Sequence, residues 1–254
     1  MTTTDFSKFN PRAYLEEIHS DGGKGQANRD ILISLIDEYS FVPNKTHLLE
    51  LGGGPTIYQL ITATSKVSSI TFAEFSTDAR AEIEAWVQGK KTAWNWDAWF
   101  ETTMRIESGE KPTQNQISER QQELKTKIKE IIACDVRNQN PLGDEKYLHF
   151  FDAIAMNYVI DSITESFSQW SSYLDNALSL LKPQGILIYN AISDVDTRWG
   201  TGGVKFPGID VLPPQLYREL TSRGFEIKYL QQKYNQECEG HKAHLFSCSV
   251  RNIV

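Results

Sequence analysis

Residues 46–56 read THLLELGGGPT, a short apolar run that breaks on three glycines and a proline. An apolar run of that length reads as a buried strand. Glycines at its end let the backbone take positive φ and let a ligand press against it. The next stretch, TIYQLITAT (56–64), sets Ile57, Leu60, Ile61 and Thr64 on one helical face. The bend therefore reads as a strand-to-helix turn, and that unit constrains the rest of the chain.

The same alternation continues downstream. SSITFAEF (68–75) is β-rich, 78–88 is helical in pattern, and ISERQQELKTKIKEII (117–132) carries a stripe of Leu124, Ile128, Ile131 and Ile132. Ser118 and Gln121 fit a capping box at its start. IIACDV leads into a strand, FFDAIAMNYV (150–159) is another apolar run, and WSSYLDNALSLLK (170–182) is an amphipathic helix stopped by Lys182-Pro183-Gln184-Gly185. GILIYNAI (185–192) is a strand and PQLYRELTSRG (214–224) a helix ending at glycine. FEIKYLQQKY and KAHLFSCSV alternate with period two and read as a hairpin. Strands alternating with helices predict an α/β fold, a doubly wound, mostly parallel sheet with an antiparallel C-terminal hairpin. Ligands bind such sheets beyond the carboxyl ends of the strands, where strand order reverses. The loops after 51, 75, 135, 157 and 190 are therefore the ones to read. Two other segments, 107–116 and 193–214, read as loops, and the second is long enough to be a lid or to carry short elements of its own.

The chain has 254 residues and a net charge of −7, so one large domain over 1–254 is expected and nucleic acid is a poor partner. No run approaches the ~20 apolar residues that span a bilayer. The N-terminus has no apolar core, and Cys134, Cys238 and Cys248 are odd in number without metal-ligand spacing. The expectation is a cytoplasmic, monomeric protein with free thiols, no metal and no membrane association.

A dinucleotide loop wants glycine at 52, 54 and 57, and position 57 is Ile. A phosphate loop ending in Gly-Lys-Ser/Thr is absent. An acidic-x-Gly-x-Gly bend with a second acid, Glu74, ending the next strand suits a nucleoside with a ribose diol and no pyrophosphate. S-adenosylmethionine (SAM) is the first reading. A glycine turn that only lets a helix pack, and a nucleotide oxidoreductase, remain open on the motif alone.

Four segments point further: Phe9-Asn10-Pro11-Arg12-Ala13-Tyr14-Leu15-Glu16, then Gly52-Gly53-Gly54-Pro55-Thr56-Ile57-Tyr58-Gln59-Leu60, then Cys134-Asp135-Val136, then Leu181-Lys182-Pro183-Gln184-Gly185. In this order and spacing the chain resembles the nicotinamide / phenylethanolamine / indolethylamine (thioether) N-methyltransferase family. The resemblance implies a seven-stranded, Rossmann-like class I methyltransferase sheet over 41–254 with N-terminal lid helices over 1–40 and a substrate loop at 193–214. It implies SAM as cofactor, S-adenosylhomocysteine (SAH) as product and a small-molecule acceptor. By position, Tyr14 would sit on the lid, and Gly52, Gly53, Gly54, Thr56 and Tyr58 would cradle the methionine part. Glu74 would hold the ribose, Asp135 and Val136 the adenine, and Asn157 and Tyr158 would line cofactor and substrate. Asn10 as N-cap and Pro11 at the first helical position independently predict a short helix carrying Tyr14.

The chain also departs from that family. His19 stands where several members carry a second lid tyrosine and is expected beside the cofactor, as a lid contact or proton acceptor, with a plain surface histidine as the alternative; Ala79 stands where an asparagine often helps bind the cofactor. Asn190 stands where the best-known members have a substrate-binding acid. With Tyr14, Tyr158, Ala191 and Trp199 it is expected to line the acceptor pocket, helped by Asp194, Asp196 and Arg198. A neutral amide offers no charge to a cationic amine but pairs with an amide or ring nitrogen. Asp161 is the nearest candidate catalytic acid beside Tyr14, with helix capping as its plain alternative. Trp94, Trp96 and Trp99 read as core packing before an aromatic cage. His241 and His244 fall on opposite faces of a strand, which argues against a metal pair. N-methylation of an amine or N-heterocycle is the leading expectation; O- or S-methylation and a silent SAM-binding regulator are the alternatives.

Overall fold

The computed structural model describes residues 8–193, 198–235 and 242–251. Cys238, His241, Asp194 and Asp196 lie outside the described residues, as do the side chains of Arg198 and Trp199.

The sheet runs β1 (Thr46–Leu51), β2 (Val67–Glu74), β3 (Ile128–Ala133), β4 (Phe151–Asn157), β5 (Leu181–Ser193), β8 (Phe225–Asn235) and β9 (Lys242–Arg251), in spatial order β3-β2-β1-β4-β5-β9-β8. β1 pairs in parallel with both β2 and β4, so order reverses between them and a crevice opens at their carboxyl ends. β9 is antiparallel to β5 and to β8, the expected terminal hairpin. β1 and β4 are nearly buried throughout, as strands covered on both faces must be.

Helices cover the two faces. One core gathers Leu32 and Leu35 of α2 (Gln26–Ser40), Ile83 of α3 (Thr77–Val87), Trp99 and Phe100 of α4 (Asp97–Ser108) and Leu124 of α5 (Gln114–Lys127). The other gathers Trp170 and Leu174 of α6 (Phe167–Leu178) and Leu216 and Leu220 of α7 (Pro213–Ser222). The predicted N-terminal helix is α1 (Pro11–Ile18), with the Asn10 side chain accepting from the amides of Arg12 and Ala13. The 193–214 segment contains a small hairpin, β6 (Arg198–Thr201) with β7 (Val204–Pro207).

Several expected elements differ. The helix expected over 117–132 starts at Gln114, capped by Thr113 and Gln116 rather than by Ser118 and Gln121. It stops at Lys127, and Ile128, Ile131 and Ile132 pair with β2. A β-branched run beside an open strand edge gains more from the ladder than from another helical turn. TIYQLITAT makes two short 3₁₀ turns, Tyr58–Leu60 and Thr62–Ser65, and no α-helix. The Thr56 hydroxyl donates to the Gly53 carbonyl, and the Gln59 amide donates to Glu50 and Thr56, so side chains hold the bend. The helix expected to stop at Lys182 ends at Leu178, and Lys182–Gly185 loops out inside β5, where the β4 partners step from Leu181 to Ile186. Trp96 and Trp99 are fully buried at α4, as core packing requires. Cys134 lies just past β3, and burial pushes its thiol well above the ordinary value. Among the described residues no helix is long and apolar enough to cross a membrane, and no His/Cys/Asp/Glu cluster could hold a metal.

Candidate active site

The glycine bend sits at the switch point. Gly52 and Gly54 have φ of 75° and 60°. A Cβ at Gly52 would lie 2.4 Å from Val159, and one at Gly53 2.5 Å from Phe72, so neither position has room for a side chain. A Cβ at Gly54 would meet nothing within 4 Å; its amide donates to Glu74 Oε2 at 2.9 Å. The Ser76 amide donates to Glu74 Oε1 at 2.7 Å. Burial pushes the Glu74 carboxyl above its usual value, and the Ser76 and Gly54 amides, Arg80 and the Phe75 amide pull against that shift. A carboxylate offers about four acceptor sites, so capacity for a further donor is left.

These residues wall a cavity of about 280 Å³ at the carboxyl ends of β1, β2, β3 and β4. Tyr14, Gly52, Gly53, Gly54, Thr56, Tyr58, Glu74, Asp135, Val136, Asn157 and Tyr158 all line it. Asp135 is gripped by Arg137, Nε to Oδ1 and Nη2 to Oδ2, each at 2.7 Å. Partial burial raises the Asp135 carboxyl, but the Arg137 bonds outweigh it and hold it below its usual value. The same guanidinium lies 4.9 Å over the Phe75 ring, which also lines the cavity.

Helix α1 closes over one side. Arg12 pairs with Glu82 of α3 at 2.6 Å and donates to the Thr92 carbonyl at 2.8 Å. Glu17 accepts from the Thr201 hydroxyl at 2.8 Å and the Gly202 amide at 3.0 Å, tying the helix to the β6–β7 hairpin. Tyr14 reaches the cavity from this helix, and burial pushes its phenol up to about 12.

Behind the cavity runs a buried polar chain. The Gln59 and Asn157 amides both donate to Glu50 Oε1, Asn190 Nδ2 donates to Asn157 Oδ1 at 2.8 Å, and the same amide reaches Glu38 Oε2 at 3.0 Å. Burial pushes Glu50 up to about 8 and Glu38 well above the carboxylate range.

Four expected site residues, His19, Asn190, Ala191 and Asp161, do not line the cavity, and a fifth, Trp199, is placed by its backbone alone. His19 is 3% exposed, packed against Tyr14, Tyr58, Trp96 and Trp99 beneath the lid, and burial pulls its imidazole down to about 4. It supports two cavity walls and does not line the cavity. Asn190 and Ala191 are wholly buried in β5; the Asn190 amide is spent on Glu38 and Asn157. Asp161 is buried, accepts from the Ile192 amide at 3.2 Å, and its carbonyl accepts from Ile209. It therefore braces the 3₁₀ turn (Ile160–Ser162) against β5 and the segment after the hairpin. Trp199 belongs to β6 by its backbone, opposite Phe206.

The NNMT/PNMT/TEMT family profile matches residues 1–251. The chain belongs to the NNMT/PNMT/TEMT family. It is 26% identical over 261 residues to human nicotinamide N-methyltransferase, covering 98% of this chain and 95% of that one. It is 24% identical over 236 residues to human phenylethanolamine N-methyltransferase, covering 89% and 81%. Among solved structures it resembles the N-methyltransferase NodS from Bradyrhizobium japonicum in complex with SAH, with a TM-score of 0.57, 16% identity and 95% and 96% coverage. Members of this NNMT/PNMT/TEMT family are SAM-dependent methyltransferases, and so is this chain. The site fits that donor: a side-chain-free cradle, an acid with spare lone pairs, and an aromatic face at Phe75.

Sequence reading missed Phe9, Phe75, Arg137 and Tyr173 as cavity residues. Phe75 directly follows the strand-end acid Glu74 and Arg137 comes two residues after Asp135, so the short stretch following each acid was the available signal. Tyr173 comes from α6, one face of which looks onto the cavity, and no local motif marks that.

Proposed function

We propose that this chain methylates a nitrogen of a small amine or N-heterocycle that is uncharged when it attacks. It would do so in the cytoplasm and as one catalytic unit over 1–254. The observation that carries the reading is the cavity at the strand switch point, walled by the glycine bend, Glu74, Asp135, Tyr158 and the lid residue Tyr14.

When bound, SAM supplies a methyl already activated on a sulfonium. The protein's tasks are then alignment and exclusion of water. Gly52, Gly53 and Gly54 allow close approach of the donor's amino-acid end, with Thr56, Tyr58 and Asn157 beside them. Glu74 accepts the ribose hydroxyls, and Phe75, Asp135 and Val136 receive the adenine. Holding nucleophile and methyl in line contributes on the order of 7–11 kcal/mol. Tyr14 and Phe9 on the α1 side, held by Arg12 and Glu17, shut out water.

The neutral amide of Asn190, buried and bonded to Glu38, whose carboxyl burial raises well above its usual range, sets no charge behind the acceptor side and supports an uncharged acceptor. A pyridine-type nitrogen satisfies this directly. An alkylamine, with a pKa near ~10, must first lose a proton.

The test is calorimetry with SAM and SAH, then turnover across amines, N-heterocycles, phenols and thiols. Binding of both with turnover on nitrogen acceptors is expected. Absence of binding refutes the reading. Binding with turnover only on phenols or thiols replaces nitrogen by oxygen or sulfur, and binding without turnover favours a silent regulator.

A further inference from the structure

Tyr158 follows the last residue of β4 with φ of 60°, a left-handed conformation that non-glycine residues rarely adopt. Two attachments hold it there: its amide donates to the Asn190 carbonyl at 2.7 Å, and its ring stands edge-on to His244 at 5.6 Å. The result is a tyrosine turned from a strand end onto the cavity wall, beside the glycine bend that Val159 abuts. Its hydroxyl is 3.1 Å from Nδ1 of His244. His244 comes from β9, opposite Ile192 of β5 and Lys233 of β8, stacks on Phe246, and does not line the cavity. Both side chains are half-buried. A tyrosine of the cavity wall is thus backed by an imidazole that stands outside the cavity, the arrangement of an acid–base residue and its partner.

We propose that Tyr158 and His244 form the path by which an acceptor nitrogen sheds its proton, which places N–H-bearing amines within the substrate class; this rests on the nitrogen-methylation reading above. The step is a proton transfer alone. The acceptor's N–H⁺ bond breaks and its proton joins the Tyr158 oxygen as the phenolic proton passes to Nδ1 of His244. The amine leaves the step neutral with its lone pair free, and the imidazolium carries the charge.

The surroundings fit a phenol that hands a proton on rather than one that stays ionised. Burial, then Tyr58, Glu38, Asp161 and Tyr14 in turn, push the Tyr158 phenol well above its usual value. Lys233 pairs with His244 only through the β8–β9 backbone register; its ammonium reaches the Asp30 carbonyl at 3.5 Å.

Two measurements test the proposal. In the SAH-saturated protein, ¹⁵N imidazole shifts of His244, assigned by their loss in His244→Gln, should titrate, and Tyr158→Phe should move that midpoint. In turnover, His244→Gln should lower kcat for an alkylamine at least tenfold further than for a pyridine-type acceptor. It should also move the acidic limb of the alkylamine pH profile from the imidazole range up towards that of the amine itself. A midpoint unmoved by Tyr158→Phe, or equal losses for both acceptors with both pH profiles intact, overturns the proposal. Failure of the methylation reading shows separately, as an absence of SAM and SAH binding in calorimetry. The spectra of the unliganded protein then decide on the Tyr158–His244 coupling alone.

Discussion

Glu74→Ala should weaken donor binding through the ribose. In the protein the two carboxylate oxygens already accept one backbone amide each, from Gly54 and Ser76. Acceptor capacity remains beyond these bonds, which the ribose hydroxyls can engage. Hydrogen bonds to a charged group are worth about 1.5–3 kcal/mol each, and water competes for both partners. A net loss of ~1–3 kcal/mol is expected, which is about 5- to 150-fold in Kd. Alanine also strands the two amides, so affinity alone does not isolate the sugar. The assay is calorimetry with SAH and with its 2′-deoxy analogue, on wild type and variant. Wild type should discriminate against the deoxy ligand by ~1 kcal/mol or more, and the variant should not; the coupling removes the cost to the bend. Unchanged SAH affinity, or equal discrimination by both proteins, would refute the assignment of the ribose to Glu74.

Gly52→Ala should lower Tm far more than Gly54→Ala. Both occupy left-handed backbone, at ~1–2 kcal/mol for a side chain, but only a Cβ at 52 also collides with Val159, at 2.4 Å. Equal shifts in thermal melts would contradict this. His19, pulled by burial from the ordinary imidazole value of 6.5 down to about 4, should make the protein less stable as pH falls from 6.5 to 4. The unfolded chain binds that proton first, and the loss amounts to roughly 3 kcal/mol at the acid end. His19→Phe should flatten the slope of denaturant-derived stability across this window, and an unaltered slope would count against a buried neutral imidazole. Glu17→Ala should raise KM and hasten amide exchange in α1 and at Gly202 while leaving Tm unchanged, since its bonds join two surface elements. Protection unchanged in both segments would show that the lid and hairpin are not coupled.

The sheet was legible because its signals are long and redundant. THLLEL, FFDAIAMNYV and GILIYNAI are apolar runs that only a doubly covered sheet can bury, and the period-two hairpin at the C-terminus fits no helix. Boundaries failed where one pattern served two periods. Ile128, Ile131 and Ile132 fit a helical stripe as well as a strand, and pairing with Ile70, Phe72 and Ala73 decided for the strand. Helix α4 escaped notice because its polar residues outnumber the buried Trp99, Phe100, Thr102 and Thr103.

The cavity wall was legible for a different reason: a glycine bend and strand-end acids are local in sequence and forced by the geometry of the turn. What lies one layer behind is not local. Glu38, Asn190, Asn157 and Glu50 are bonded in a row although they come from α2, β5, β4 and β1. In the sequence, an asparagine at 190 is simply an acid that is missing. In the fold it is a neutral link between two buried carboxyl groups. An aspartate there would set a carboxylate against Glu38 in the sheet interior, where one of the pair would have to keep a proton. The amide at 190 is therefore explained by the acid at 38, and the loss of a charge from the acceptor side follows from packing between α2 and β5 and not from the acceptor alone.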